Sequence, residues 1–229
     1  MLGIIGAMSE EIDVIKKEMT SSEEEKIGNF IFNIGVLRGK EIVLAESGIG
    51  KVNSSITATI MIIKYNVNTI VFSGVAGALD ERITVGDVVI GEKMIQHDVD
   101  VTEFGLKKGE IPRMKTSAFE SMPELIKAVE DFKLPGHRIY KGVIISGDQF
   151  ISSKEVKKNL AKEFNAMCVD MESASVAQAC YLLGKNCLIV RSISDSVTDD
   201  SVLEYSKFTE LAANNSKEII CHLVENYNF

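Results

Sequence analysis

The chain has 229 residues, 45% of them hydrophobic, and a formal net charge of −8. That length suits one large α/β domain or two small ones, with apolar material for a sizeable core. A polyanion such as nucleic acid meets a repulsive field, no lysine–arginine cluster offsets it, and no run reaches the ~20 apolar residues of a membrane span.

Leu2 to Gly6 reads as a buried first strand. It is too short for a signal peptide, lacks a basic start, and runs straight into Glu10 and Glu11. Helical spacing follows from Glu10 to Met19, with Ile12 and Ile15 on one side. Ser21 to Lys26 reads as a polar loop. Phe30–Val36 and Glu41–Ala45 read as strands joined across Arg38-Gly39-Lys40. Ser47-Gly48-Ile49-Gly50 is a tight turn into a helix over Val52 to Tyr65, whose apolar face carries Val52, Ile56, Ile60 and Ile63. Thr69–Ser73 reads as a strand and Gly74–Ala78 as a small-residue loop after it. A strand region spans Val85–Met94, and Gly105–Ser117, without periodicity, reads as a long surface loop.

A helix over Pro123–Phe132 has proline in its first turn. Strand Gly142–Ile145, helix Ser153–Phe164 and strand Met167–Val169 follow. A helix over Glu172–Leu183 is stopped by Gly184. Strand Cys187–Ile193 leads to a final helix with Phe208, Leu211, Ala212, Ile219, Ile220, Leu223 and Val224 on one face. Strands alternating with helices predict a parallel or mixed sheet covered on both faces. No linker or repeat divides the chain, so residues 1–229 read as one domain.

The four cysteines form no CxxC pair and read as buried, reduced thiols. Lys107-Lys108 and Lys157-Lys158 read as solvated faces. His97-Asp98-Val99-Asp100 holds ligand-type groups, but His137 and His222 lie at no ligand spacing, so His97 reads as a structural hydrogen-bonder and no metal site is expected. Gly48-Ile49-Gly50-Lys51 matches neither the P-loop nor GxGxxG and reads as a turn rather than a phosphate cradle.

Glu11, Glu172 and Asp195 each follow a strand and precede or begin a helix. Singly, each reads as a first-turn acid or cap. Together, on a parallel sheet, they gather at one edge, where such sheets bind ligands. The chemistry they suit is that of a hydroxylated, nitrogenous small molecule, one carboxylate gripping hydroxyls and another handling a proton.

Six blocks extend this pattern: Gly3 to Glu11, Ser47 to Val52, Asp98 to Gly105, Ser146 to Ile151, Val169 to Glu172 and Arg191 to Asp195. In order and spacing they resemble the bacterial 5′-methylthioadenosine/S-adenosylhomocysteine nucleosidases, over nearly the whole chain. The resemblance implies a three-layer αβα sandwich around a twisted mixed sheet, a homodimer, and no metal or organic cofactor; the cytoplasmic location is the expectation drawn from the missing signal peptide and membrane span. It implies hydrolysis of the adenine–ribose bond of methylthioadenosine, adenosylhomocysteine and 5′-deoxyadenosine through a ribosyl cation.

In that scheme Asp195, its pKa raised by burial, protonates adenine N7, and Ser194 holds it. Glu11 is the base for water, Glu172 binds the ribose hydroxyls, and Arg191 orients water and carboxylates. Phe150 stacks on adenine, Ile151 meets its polar edge, and Met8 and Met171 pack on the sugar. Tyr205 lies near the 5′ group. Val101, Phe104 and Pro112 close the alkylthio pocket, some from a neighbouring subunit. Ile49, Ala76 and Gly77 complete the binding set. Three positions depart from the family pattern: Val75 stands for a serine, Leu106 for an aromatic and Asp170 for a glutamate. The competing readings are a phosphorylase, a futalosine-type hydrolase and a catalytically silent nucleoside binder.

Overall fold

The computed structural model describes residues 1–197 and 201–229, with Tyr205 the only described side chain from 201 to 206. Buried apolar strands make its centre. β1 (Leu2–Gly6) lies between β4 (Lys40–Glu46) and β5 (Thr69–Ala78), parallel to both. β3 (Phe30–Leu37) and β2 (Met19–Ile27) extend the β4 side as antiparallel strands. On the other side β5 runs parallel to β10 (Asn186–Asp195). β10 pairs antiparallel with β6 (Val88–Gln96), β6 runs parallel to β8 (Ile139–Ser146), and β8 runs parallel to β9 (Ala166–Asp170). A short antiparallel pairing of β9 with Gly77 and Ala78 returns to β5, so this half of the mixed sheet closes on itself.

Helices cover both faces. α2 (Lys51–Lys64) and α5 (Ser173–Leu182) share one core with Phe32, Phe72 and Ile189. α1 (Ser9–Lys16), α3 (Pro123–Val129) and α6 (Ser201–Asn226) form the other with Leu44, Leu188 and Val190. α4 (Lys154–Phe164) sets Leu160 against Ile145 and Val169. The expected layered sandwich is the observed one.

Two local expectations need correction. Ser21 to Lys26 is not a loop but the middle of β2. Its solvent-facing glutamates and lysine suit a sheet-edge strand, where charge discourages further pairing. Gly74–Ala78 is not a loop either; it continues β5, buried throughout. Its small residues make room for long side chains from the neighbouring strand β10. Residues 105–117 do run as a loop, but a 3₁₀ turn at Thr102–Phe104 precedes it and a short strand, β7 (Ala118–Glu120), follows. All four cysteines are free and buried, as expected. Among the described residues, no helix is long and apolar enough to cross a membrane.

Candidate active site

Four strand ends meet beside a cavity of about 350 Å³. Met8, Glu11, Ile49, Ala76, Gly77, Phe150, Met171, Glu172, Ser194, Asp195 and Tyr205 all line it. Ile151 lines a small recess alongside, with Gly77, Phe150 and Asp195. Thus all but four of the residues singled out in the sequence come together. Arg191 lies beneath, fully buried. Val101, Phe104 and Pro112 are absent from the lining; Pro112 and Leu106 border a separate cavity near Phe164. Within one chain, then, the expected alkylthio wall is not assembled. Phe104 is 86% exposed.

Glu11 sits in the first turn of α1, where backbone N–H groups lack intrahelical partners. Its carboxylate accepts from Ala7 N at 2.6 Å, Met8 N at 3.1 Å and, across the sheet, Val75 N at 3.0 Å. Burial raises its pKa, against the pull of Arg191 and these three donors. The backbone of Val75 thereby serves the site although its side chain has no hydroxyl.

Glu172 is the N-cap residue of α5. It accepts from Gly50 N at 2.8 Å and faces Arg191 Nη2 at 3.5 Å. Burial lifts its pKa to about 7; Arg191 opposes this, and Asp170 and Glu11 add to it. Asp170 is held from all sides. Arg191 Nε lies 2.7 Å from it, Ser146 Oγ donates at 2.5 Å, and Ser173 Oγ and the Glu172 and Ser173 amides also donate. These donors accommodate the shorter acid noted in the sequence. Arg191 also donates to Ser173 Oγ at 2.9 Å and lies 4.0 Å from the Phe72 ring centre, while its Nη1 has no partner among the described residues. A Cβ on Gly74 would fall 1.8 Å from Arg191 Nη1 and 2.7 Å from Glu11 Oε1, so this position is glycine by steric need.

Asp195 ends β10 at an irregularity in the β5–β10 register, a device that re-aims side chains beside active sites. Ser194 Oγ donates to its Oδ1 at 3.0 Å. Its Oδ2 is ion-paired to Lys157 Nζ at 2.6 Å, and Lys157 is fully buried. The expectation of a solvated Lys157-Lys158 face therefore fails at Lys157. Sequence reasoning passed over this residue. A signal was present: Lys157 lies one turn before Leu160, on the helix face that also carries Ala161 and Phe164.

Phe150 meets Tyr205 edge-on, with ring centres 5.7 Å apart, and Tyr205 Oη lies 2.8 Å from Met8 Sδ. The Gly48–Gly50 turn uses positive φ at both glycines, 79° and 99°, conformations that favour glycine. Its free amides are directed to protein carboxylates: Gly50 N to Glu172, and Lys51 N to Asp148 at 2.9 Å. His97 departs from expectation. It is buried, its Nε2 has no hydrogen-bond partner among the described residues, and burial lowers its pKa. No group of three or more His, Cys, Asp or Glu among the described residues is placed to hold a metal ion.

Comparison with known proteins agrees with this geometry. The family model described as Phosphorylase superfamily matches residues 1–225. A 5′-methylthioadenosine/S-adenosylhomocysteine nucleosidase of Staphylococcus aureus is 40% identical, over 98% of this chain and 99% of its own. The crystal structure of the Neisseria meningitidis nucleosidase of that name, in complex with methylthio-immucillin-A, superposes with a TM-score of 0.94 at 35% identity, covering 99% of both chains. The futalosine hydrolase of Helicobacter pylori superposes with a TM-score of 0.92 at 37% identity, over 99% of this chain and 97% of that one. The chain therefore belongs to the phosphorylase superfamily and, within it, to the 5′-methylthioadenosine/S-adenosylhomocysteine nucleosidase family.

Proposed function

We propose that this protein hydrolyses the N-glycosidic bond of methylthioadenosine and S-adenosylhomocysteine, releasing adenine and the 5-substituted ribose. 5′-Deoxyadenosine fits the same scheme. The observation that carries the reading is the convergence of Glu11, Glu172 and Asp195 on one cavity whose described lining contains no lysine or arginine. Phosphorolysis needs a cationic or N–H-rich cradle for phosphate. Here the amides at the start of α2 are engaged by Glu172 and Asp148, and three carboxylates would repel the anion.

In the reaction, the bond from ribose C1′ to adenine N9 breaks and its electron pair leaves with the base. Asp195 supplies a proton to N7 of the departing purine, and Ser194 holds the carboxyl in place. Glu11 takes a proton from water as the water oxygen bonds to C1′. Burial raises its pKa, which makes it a stronger base than a solvated carboxylate. Glu172 holds the ribose hydroxyls, and its charge opposes that of the ribosyl cation. Arg191 keeps the carboxylates apart and in register from below. Phe150 stacks on the purine, Ile151 meets its polar edge through backbone groups, and Met8, Met171 and Tyr205 pack around the sugar and its 5′ group.

The enzyme acts as one domain spanning residues 1–229, in the cytoplasm, as a homodimer. Support for a second copy is an exposed apolar face. On α2, Val52 is 65% and Ile63 69% exposed, and beside them on α5 Leu182 is 63% exposed. Contiguous patches of this kind mark contacts. Phe104, and with it Val101 and Pro112, then closes the 5′ pocket of the neighbouring copy. Phe104→Asp is expected to weaken both association and turnover, measured by sedimentation and adenine release. A wild-type monomer with full activity at micromolar concentration would refute the dimer.

The test of the activity is product analysis with methylthioadenosine, adenosylhomocysteine, 5′-deoxyadenosine and futalosine, each with and without phosphate. Adenine and free 5-substituted ribose, formed at a rate indifferent to phosphate, are expected from the first two. A ribose 1-phosphate product would establish phosphorolysis instead. Asp195→Asn is expected to lower adenine release by about 10²–10⁴-fold with the fold intact; activity within threefold of wild type would remove Asp195 from its role.

A further inference from the structure

Lys157 has a place that general stability does not explain. α4 carries Lys154, Lys158 and Lys162 toward solvent, yet Lys157 is buried completely, with its ammonium 2.6 Å from Asp195 Oδ2 and 2.6 Å from the Ser196 carbonyl. Burying a lysine–carboxylate pair loses the hydration of both charges, and an apolar pair of similar volume is often as stable or more so. The pair also joins the cavity, because Asp195 lines both the main cavity and the recess beside Phe150 and Ile151.

We infer that Lys157 is a positioning residue for the leaving-group acid, and that Lys157 and Asp195 hold between them the proton delivered to the purine. The inference rests on the role proposed for Asp195. With the ammonium on Oδ2 and the Ser194 hydroxyl on Oδ1, the resting carboxyl is framed by two donors. The proton needed when adenine departs is then the one shared with Lys157. As the C1′–N9 bond breaks, a proton passes from Lys157 Nζ through the Asp195 carboxyl to N7, leaving a neutral amine beside the carboxylate. The attacking water gives its proton to Glu11. After the products leave, bulk water returns a proton to Lys157 and accepts one from Glu11, which closes the cycle without any other reactant.

Other titratable groups face this pair. Cys168 of β9 is a thiol with a pKa raised well above its usual range by burial, and Tyr205 of α6 is a phenol pushed up to about 12. Both are neutral across the working range. Glu11 and Glu172 line the same cavity. Asp199 and Asp200 lie outside the described residues.

The test compares wild type, Lys157→Met, Lys157→Arg, Asp195→Asn and the Lys157→Met/Asp195→Asn double variant, by adenine release from methylthioadenosine between pH 6 and 10. For Lys157→Met, we expect kcat to fall tenfold or more with KM within threefold. Its alkaline limb should move to lower pH, because the ammonium that shares the proton is gone. Arginine can keep the ion pair but does not release its proton, so Lys157→Arg should retain the wild-type Tm and KM with lowered kcat. In the Asp195→Asn background, Lys157→Met should add nothing.

Lys157→Met with kcat within twofold and an unmoved alkaline limb would overturn the inference. So would a fully active Lys157→Arg with an unmoved limb, which would leave Lys157 an anchor only. If Lys157→Met fails to fold, the arginine variant still decides. A fully active Asp195→Asn would instead refute the role proposed for Asp195 itself, so the two failures are distinguishable.

Discussion

Replacing Arg191 with methionine tests how the buried charges are arranged. The substitution keeps an unbranched apolar stem and removes the guanidinium. It deletes the 2.7 Å link to Asp170, the 3.5 Å contact with Glu172, the hydrogen bond to Ser173 and the contact with the Phe72 ring. Glu11, Asp170 and Glu172 are left buried without their cation. Breaking a buried pair in this way costs about 3–5 kcal/mol. At about 2–4 °C per kcal/mol for a domain of this size, Tm should drop by roughly 6–20 °C.

The loss should depend on pH in a defined direction. Arg191 lowers the pKa values of Glu11 and Glu172, which burial raises, the latter to about 7. Without it both rise further. A carboxyl with a folded pKa above its unfolded one contributes stability below the unfolded value and loses that contribution as pH climbs through the folded one. The variant's deficit should therefore be smaller near pH 5.5 than near pH 8.5. Thermal unfolding followed by circular dichroism at both pH values measures it. A deficit below about 1 kcal/mol at pH 8.5, or one no smaller at pH 5.5, would refute the argument.

Two further substitutions separate the carboxylates. Glu11→Gln should slow hydrolysis strongly while an adenosine analogue binds within a few-fold of wild type; equal losses in both would make Glu11 a binding residue. Glu172→Gln should weaken cationic ribose mimics far more than free adenine, since its carboxylate is assigned to the sugar; calorimetric titrations showing equal weakening would contradict that assignment.

Much of the site was legible because acids at strand ends leave a trace in the sequence. Glu11, Glu172 and Asp195 each stand where an apolar run gives way to a helix, and the sheet carries them to one cavity. Strand β2 was not legible, because Ser-Ser-Glu-Glu-Glu-Lys has the composition of a loop and becomes a strand only through pairing with β3. Context prevailed over propensity there. Gly74–Ala78 misled for the opposite reason: glycine and alanine suggest a turn, yet here they leave volume for a neighbour's side chains. Lys157 was missed because charge on a helix is read as solvated unless its partner is known, and Asp195 lies 38 positions away.

Gly74 has no functional group, yet it decides what the site can be. The volume that its missing side chain leaves free is occupied by Arg191, with Glu11 alongside. Inherited change at positions 74 and 191 is consequently bound together. A lineage that gains even a methyl group at 74 must give up the arginine or shift a strand, and one that loses the arginine no longer needs the glycine. Saturating substitution at position 74 should thus abolish activity as thoroughly as substitution of the charged residues, which makes this silent position a marker by which active and inactive descendants of the fold can be told apart.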